Sequence, residues 1–180
     1  MSLTKEYCES HDLDLFFFVG EYPIHIATNG GPIPSLVDFE QLMEMRKKVI
    51  ALPILNERCR VNTENSHLRM MRENIVGNRN EDRELRNVYT EWLDPESRQT
   101  LYLEGFCEIA FKGFFSFDRK ITNVENDTVY ELVAGPTNMI SKESKFGRWL
   151  CEQEISFKFF ETTNFEEQIV KFLGENNRES

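Results

Sequence analysis

The residues best suited to chemistry lie in one short run, Ile24-His25-Ile26-Ala27-Thr28-Asn29-Gly30-Gly31-Pro32-Ile33-Pro34-Ser35, which reads as a strand, a glycine turn and a helix start. Backbone amides and the positive end of a helix dipole converge at such a junction, which suits an anionic group or a carbonyl oxygen. Thr28, Asn29, Gly30, Gly31 and Ser35 form this candidate ligand-binding corner. The glycines let the backbone approach a ligand closely, and Ser35 stands where the helix amides are unpaired. His25 lies between two isoleucines, so a regular strand turns it to the opposite sheet face from them. A neutral imidazole there is the one candidate general base. Arg119 follows a neighbouring strand candidate and is the second contact expected for an anion. Other signs weigh against the site. Neither glycine-rich phosphate motif is present, and Pro32 and Pro34 remove two amides that a cradle would use. No nucleophile or acid partner for His25 is visible, so no catalytic residue is assignable. A turn rich in Asn, Gly and Pro is also an ordinary chain reversal, and a strand histidine bonded to its neighbours is the simpler role.

Other clusters carry less. Eight arginines, Arg58, Arg60, Arg69, Arg72, Arg79, Arg83, Arg86 and Arg98, lie between positions 57 and 98 with no lysine among them. Acids are interleaved with them, and Asp82 and Arg86 have the spacing of a helix ion pair, so the stretch reads as a solvated, internally paired surface. Cys8 and His11 have ligand spacing, but no third or fourth ligand accompanies them. Cys8, Cys59, Cys107 and Cys151 match no zinc pattern and no redox pair by spacing. The expectation is four reduced thiols, with no metal and no cofactor. Aromatic residues are dense after position 145. Most suit a core, and Trp149 beside Arg148 is the candidate interface anchor.

Composition bounds the function. The chain has 180 residues and a formal net charge of −10, and the acidity is spread over all three thirds. Phosphate-backbone binding needs clustered Lys and Arg, so a nucleic-acid partner is not expected, nor an anionic membrane surface. The net charge would suit a basic protein partner. No basic region followed by an apolar core marks the N-terminus, and the apolar run at 16–19 is too short to span a bilayer. These signs place the chain in the cytoplasm.

The elements that must position these residues read as a single α+β domain over 1–180, with a central helical segment at about 36–112 and a β-rich part at 113–173. Strand signals fall at 13–19, 24–28, 114–118, 128–134 and 155–161, which predicts about five mostly antiparallel strands. Helical spacing predicts helices at 36–51, 67–76, 81–93, 95–112 and 165–173, packed mainly on one sheet face. In the first of these, Leu36, Phe39, Leu42, Met43, Val49 and Ile50 form the expected inward stripe. Asp94-Pro95 is the sharpest local signal, a favoured N-cap followed by a proline suited to the first helical turn. Gly135-Pro136 predicts the end of a strand. Two function classes remain. One is a non-catalytic binding or regulatory protein acting through protein contact. The other is a small enzyme or small-molecule-binding protein with an anion-accepting site at the 25–35 junction.

Overall fold

The structure is a computed structural model that describes residues 12–29, 39–76, 95–121, 129–153, 155, 160 and 163–174. It begins with a hairpin, β1 (Asp14–Val19) against β2 (Tyr22–Ala27). The loop is two residues long, and Gly20 holds φ at +57°, the positive value that a type II′ hairpin needs at its first loop position. A short strand β3 (Cys59–Val61) follows, then β4 (Phe115–Arg119) and β5 (Tyr130–Pro136). The sheet order is β1-β2-β4-β5-β3. Three of the pairings are antiparallel, and the central one, β2 with β4, is parallel.

Five helices are described: α1 (Phe39–Ile50), α2 (Ser66–Val76), α3 (Pro95–Phe111), α4 (Lys145–Cys151) and α5 (Phe165–Gly174). Strand alternation sends Leu15, Phe17, Ile24, Ile26, Phe115 and Phe117 to one face, where α5 supplies Phe165, Ile169 and Phe172. The other face carries Phe16, with Met45 and Val49 of α1 and Leu150 of α4 packed over it. Helix α3 lies on that face too, its Phe106 near the His25 ring, and α2 follows with His67 stacked on Tyr102. The chain is therefore α+β, with four of the five described helices on one face. No helix among the described residues is long and apolar enough to cross a membrane.

Several details depart from the sequence reading. The fifth strand is β3, a three-residue edge that gave no periodic signal; the 155–161 candidate lies mostly outside the described residues. The helix expected at 81–93 and the Asp94 cap lie outside them as well, although α3 does open at Pro95. Gly135-Pro136 does end β5, but from within the strand, since Cys59 and Arg60 of β3 pair with these two residues and β5 runs to Pro136 rather than to the expected 134. Gly135 lacks a side chain where the rings of Phe172 and Phe115 pack against it. In α1 the buried stripe is Leu42, Met45 and Val49, whereas Met43 and Ile50 are exposed. In α5, Phe165, Ile169 and Phe172 are buried, whereas Leu173 is exposed. The second half of α3 is half-buried.

Candidate functional site

Alternation along the strands turns His25 away from Ile24 and Ile26 and puts it on the face beneath α3. The β2–β4 register sets it beside Ser116. The His25 ring accordingly bridges three strands. Its Nε2 is 3.0 Å from Asp14 Oδ1 of β1, and its Nδ1 is 2.5 Å from Ser116 Oγ of β4. A carboxylate can only accept, so Nε2 carries the proton, and Nδ1 accepts from the serine hydroxyl. Arg46 of α1 closes the far end, with Nε 3.1 Å from Asp14 Oδ2. Phe16 stacks on the imidazole at 4.9 Å. Burial would raise the Asp14 carboxyl, but the hydrogen bond from His25 and the charge of Arg46 hold it below the usual carboxylate range.

Carboxylate, imidazole and hydroxyl in this order can activate a nucleophile. The exposure runs the wrong way for that use. Ser116 is fully buried and His25 is 3% exposed, whereas the Asp14 side chain is 25% exposed. The hydroxyl that would attack a substrate is thus sealed, and the group nearest solvent is the carboxylate. As it stands, the arrangement is a satisfied polar tie across β1, β2 and β4.

A second polar group lies further along the same face. Asp118 of β4 accepts from Tyr102 Oη at 2.9 Å and from the Arg119 N–H at 2.8 Å, with His67 Nε2 at 3.2 Å. Burial pushes the Asp118 carboxyl up, against the pull of His67 and the Tyr102 hydrogen bond. The His67 ring also reaches the Arg119 carbonyl at 2.7 Å. The neighbouring Ser66 hydroxyl accepts from the Ile121 N–H and donates to Glu131 of β5. These contacts pin the start of α2 to the ends of β4 and β5. Among the described residues no group of three or more His, Cys, Asp or Glu side chains is placed to hold a metal ion.

The 25–35 corner is only partly described, since Gly30, Gly31 and Ser35 lie outside the described residues. Thr28 is fully buried, and its hydroxyl accepts from the Leu13 N–H at 2.9 Å. Asn29 adopts φ 45°, and its N–H donates to Asp12 Oδ1 at 2.7 Å. One amide available to an anion is therefore already bound to a carboxylate of the chain. Arg119 ends β4, one residue past the rung that pairs Asp118 with Ala27, so it does lie near the end of β2.

Trp149 sits on α4, where Ser144 caps the helix by accepting from the Gly147 N–H at 2.9 Å. Gly147 is required there because a Cβ would strike the carbonyls of Ser141 and Lys142. The indole is half-buried against Phe146, and Lys48 of α1 lies over its face at 4.8 Å. Lys48 also lines an open groove of about 770 Å³ together with Met43, Glu44, Arg46, Lys47, Ile50 and Ala51. Lys48 thus touches both the indole and the groove along which Met43 and Ile50 are exposed.

No family model, no curated protein and no solved structure matches this chain. Sequence reasoning found His25 but missed Asp14, Ser116 and Arg46, and it passed over His67, Asp118 and Tyr102. Alternation in Phe115-Ser116-Phe117-Asp118 was the available signal, since it sets two polar side chains on the face opposite two phenylalanines.

Proposed function

We propose that this chain is a non-catalytic protein-binding module whose docking face is the outer surface of α1 together with Trp149. The observation that carries this reading is the exposure of Met43 (47%) and Ile50 (53%), one helical face apart by seven residues and lining a groove. Isolated surface apolar residues need no explanation, but two that line one groove on a single helix do. The partner fits by charge. The groove wall carries Arg46, Lys47 and Lys48 against Glu44, in a chain whose net charge is −10. The whole-chain charge would favour a basic partner, whereas the groove itself favours an amphipathic segment with carboxylates flanking its apolar side chains. The reading also draws on the polar tie, whose hydroxyl is sealed from any substrate. The small-molecule alternative at the end of β2 loses support from Asp12, because a carboxylate bonded to the Asn29 amide repels an anionic ligand.

The test uses three synthetic amphipathic peptides of matched apolar content, one acidic, one neutral and one basic. Replacing Trp92 with Phe leaves Trp149 as the single tryptophan reporter. The acidic peptide is expected to bind most tightly and to shift Trp149 emission, with an affinity that falls as salt rises. Met43→Glu and Lys47→Glu should each weaken it about 10-fold, near 1.4 kcal/mol, without lowering the melting temperature. Preference for the basic peptide, or binding that survives both substitutions, overturns the reading.

A further inference from the structure

Helices α1 and α3 lie on the same sheet face and are tied at their C-terminal ends, where the Lys112 ammonium donates to the Ile50 and Leu52 carbonyls. Their outer faces carry opposite charge at matching spacing. On α1 the exposed residues Met43, Arg46, Lys47 and Ile50 have the i, i+3, i+4, i+7 spacing of one helix face. On α3 Leu101, Glu104, Gly105 and Glu108 have the same spacing and are exposed as well. Arg46 is paired with Asp14 and Lys48 with Glu44, whereas among the described residues Lys47, Glu104 and Glu108 make no ion pair. The lone chain also leaves α3 poorly covered. Leu101, Leu103, Phe106, Ile109 and Phe111 make it apolar on most sides, and such a helix is ordinarily buried. Yet Ala110 is the one described residue of α3 that is fully buried, and Leu101 is 56% exposed. Gly105 sits mid-helix, where glycine is a poor helix former, and no described atom lies within 4 Å of the position its Cβ would take. Nothing within the chain requires a glycine there, whereas the close approach of another backbone would.

We propose that the occupant of the α1 groove is α3 of a second copy of this chain, in a two-fold dimer. The inference rests on reading that groove as a docking face. A two-fold axis between α1 and α3, lying in the plane of contact, sets each copy's α1 on its partner's α3, so one surface is complementary to itself. Lys47 then meets the partner's Glu104 and the partner's Glu108, which gives all three an opposite charge that their own chain does not supply. Met43 and Ile50 are covered together with the partner's Leu101. The missing side chain at the partner's Gly105 lets the two helices approach closely at the centre of the contact. This local attraction acts between chains whose net charges of −10 repel, so charge placement rather than overall charge selects the face.

The experiment measures the mass of the full chain by sedimentation equilibrium over a concentration series, with reductant present so that exposed Cys151 cannot link two chains. The mass is expected to rise from one chain to two. Lys47→Glu and Glu104→Lys should each weaken the dimer about 10-fold. An equimolar mixture of the two variants should restore it, because reversed charges meet across one contact and native charges across the other. Charge reversal is the readout rather than salt, which also screens the repulsion between the two chains. Gly105→Leu should stay monomeric and melt no lower than the parent at a dilution where both are single chains. A single-chain mass throughout overturns the proposal. So do growth past two chains, a dimer indifferent to both reversals, a mixture no tighter than its components, and a Gly105→Leu variant that dimerises like the parent. The acidic peptide separates this result from the docking reading. A chain that stays monomeric yet binds the peptide overturns the dimer alone, and one that does neither overturns both.

Discussion

The tie through His25 makes a quantitative claim that a double-mutant cycle can test. Ser116→Ala removes the hydroxyl that donates to Nδ1 and leaves a ring nitrogen unpaired in a site where His25 is 3% exposed. An orphaned buried polar atom costs about 1–3 kcal/mol, so about 2 kcal/mol is expected. His25→Phe keeps a ring against Phe16 and Phe106 but orphans the Ser116 hydroxyl, again about 2 kcal/mol. Asp14 adds little to that loss, because Arg46 still holds its other oxygen. The double variant leaves neither partner stranded at the Ser116 end. Its loss should fall short of the sum by about 1–2 kcal/mol, the coupling of a contacting pair. The assay is urea unfolding followed by far-ultraviolet circular dichroism, with midpoints compared at constant slope. On heating, each kcal/mol should appear as a shift of about 2–4 °C for a chain of this size. An additive double variant, or a Ser116→Ala variant as stable as the parent, would refute the tie.

Acid titration gives a second expectation with a defined sign. The Asp14 carboxyl is held below its ordinary 3.8 in the fold, so its contribution is present above that pH and is lost as pH falls through the folded value. The stability gap between the parent and Asp14→Asn should therefore narrow below about pH 4. Asp118 is shifted the other way, so its ionisation weakens the fold as pH rises through the folded value, and Asp118→Asn should compare best at neutral pH. Gly135→Ala would bring a Cβ 2.5 Å from the Phe172 ring and 3.0 Å from the Phe115 ring, and thermal melts should register a loss of about 1–3 kcal/mol from overpacking. Finally, electrophoretic titration with a generic duplex and a single strand should give no salt-sensitive micromolar complex; such a complex would contradict the charge argument.

His25 shows what the sequence reveals about this molecule and where it stops. The alternation Ile24-His25-Ile26 was enough to assign the ring to a face, because side chains on a strand have period two. Its partners were out of reach, since Asp14 and Ser116 become neighbours through strand order, and the parallel pairing of β2 with β4 has no local signature. The same limit explains α1. Met43 and Ile50 are as apolar as Leu42 and Val49, and only the packing direction decides which part of a wide apolar arc meets the sheet. Strand β3 is three residues long, too short for periodicity to register. By contrast, Gly20 and Pro95 mark boundaries through their own backbone requirements, so the end of β1 and the start of α3 were legible, whereas β2 begins at Tyr22 rather than at the expected 24.

The parallel seam between β2 and β4 also sets an order of events in time. Hairpins β1–β2 and β4–β5 each close over nearby residues, whereas residues 28–114 intervene between the two strands of the seam. Joining those halves pays the loop-closure entropy of that entire stretch before any seam contact repays it. Assembly should therefore proceed as two early hairpins and a later docking, with the His25–Ser116 contact among the last to form. Pulsed hydrogen exchange would register this as hairpin amides protected before those bonded across the Ile24–Phe115 rungs. Until docking is complete, the inner edges of both hairpins are unpaired strands, and that interval is when this chain is most exposed to pairing with a second copy of itself.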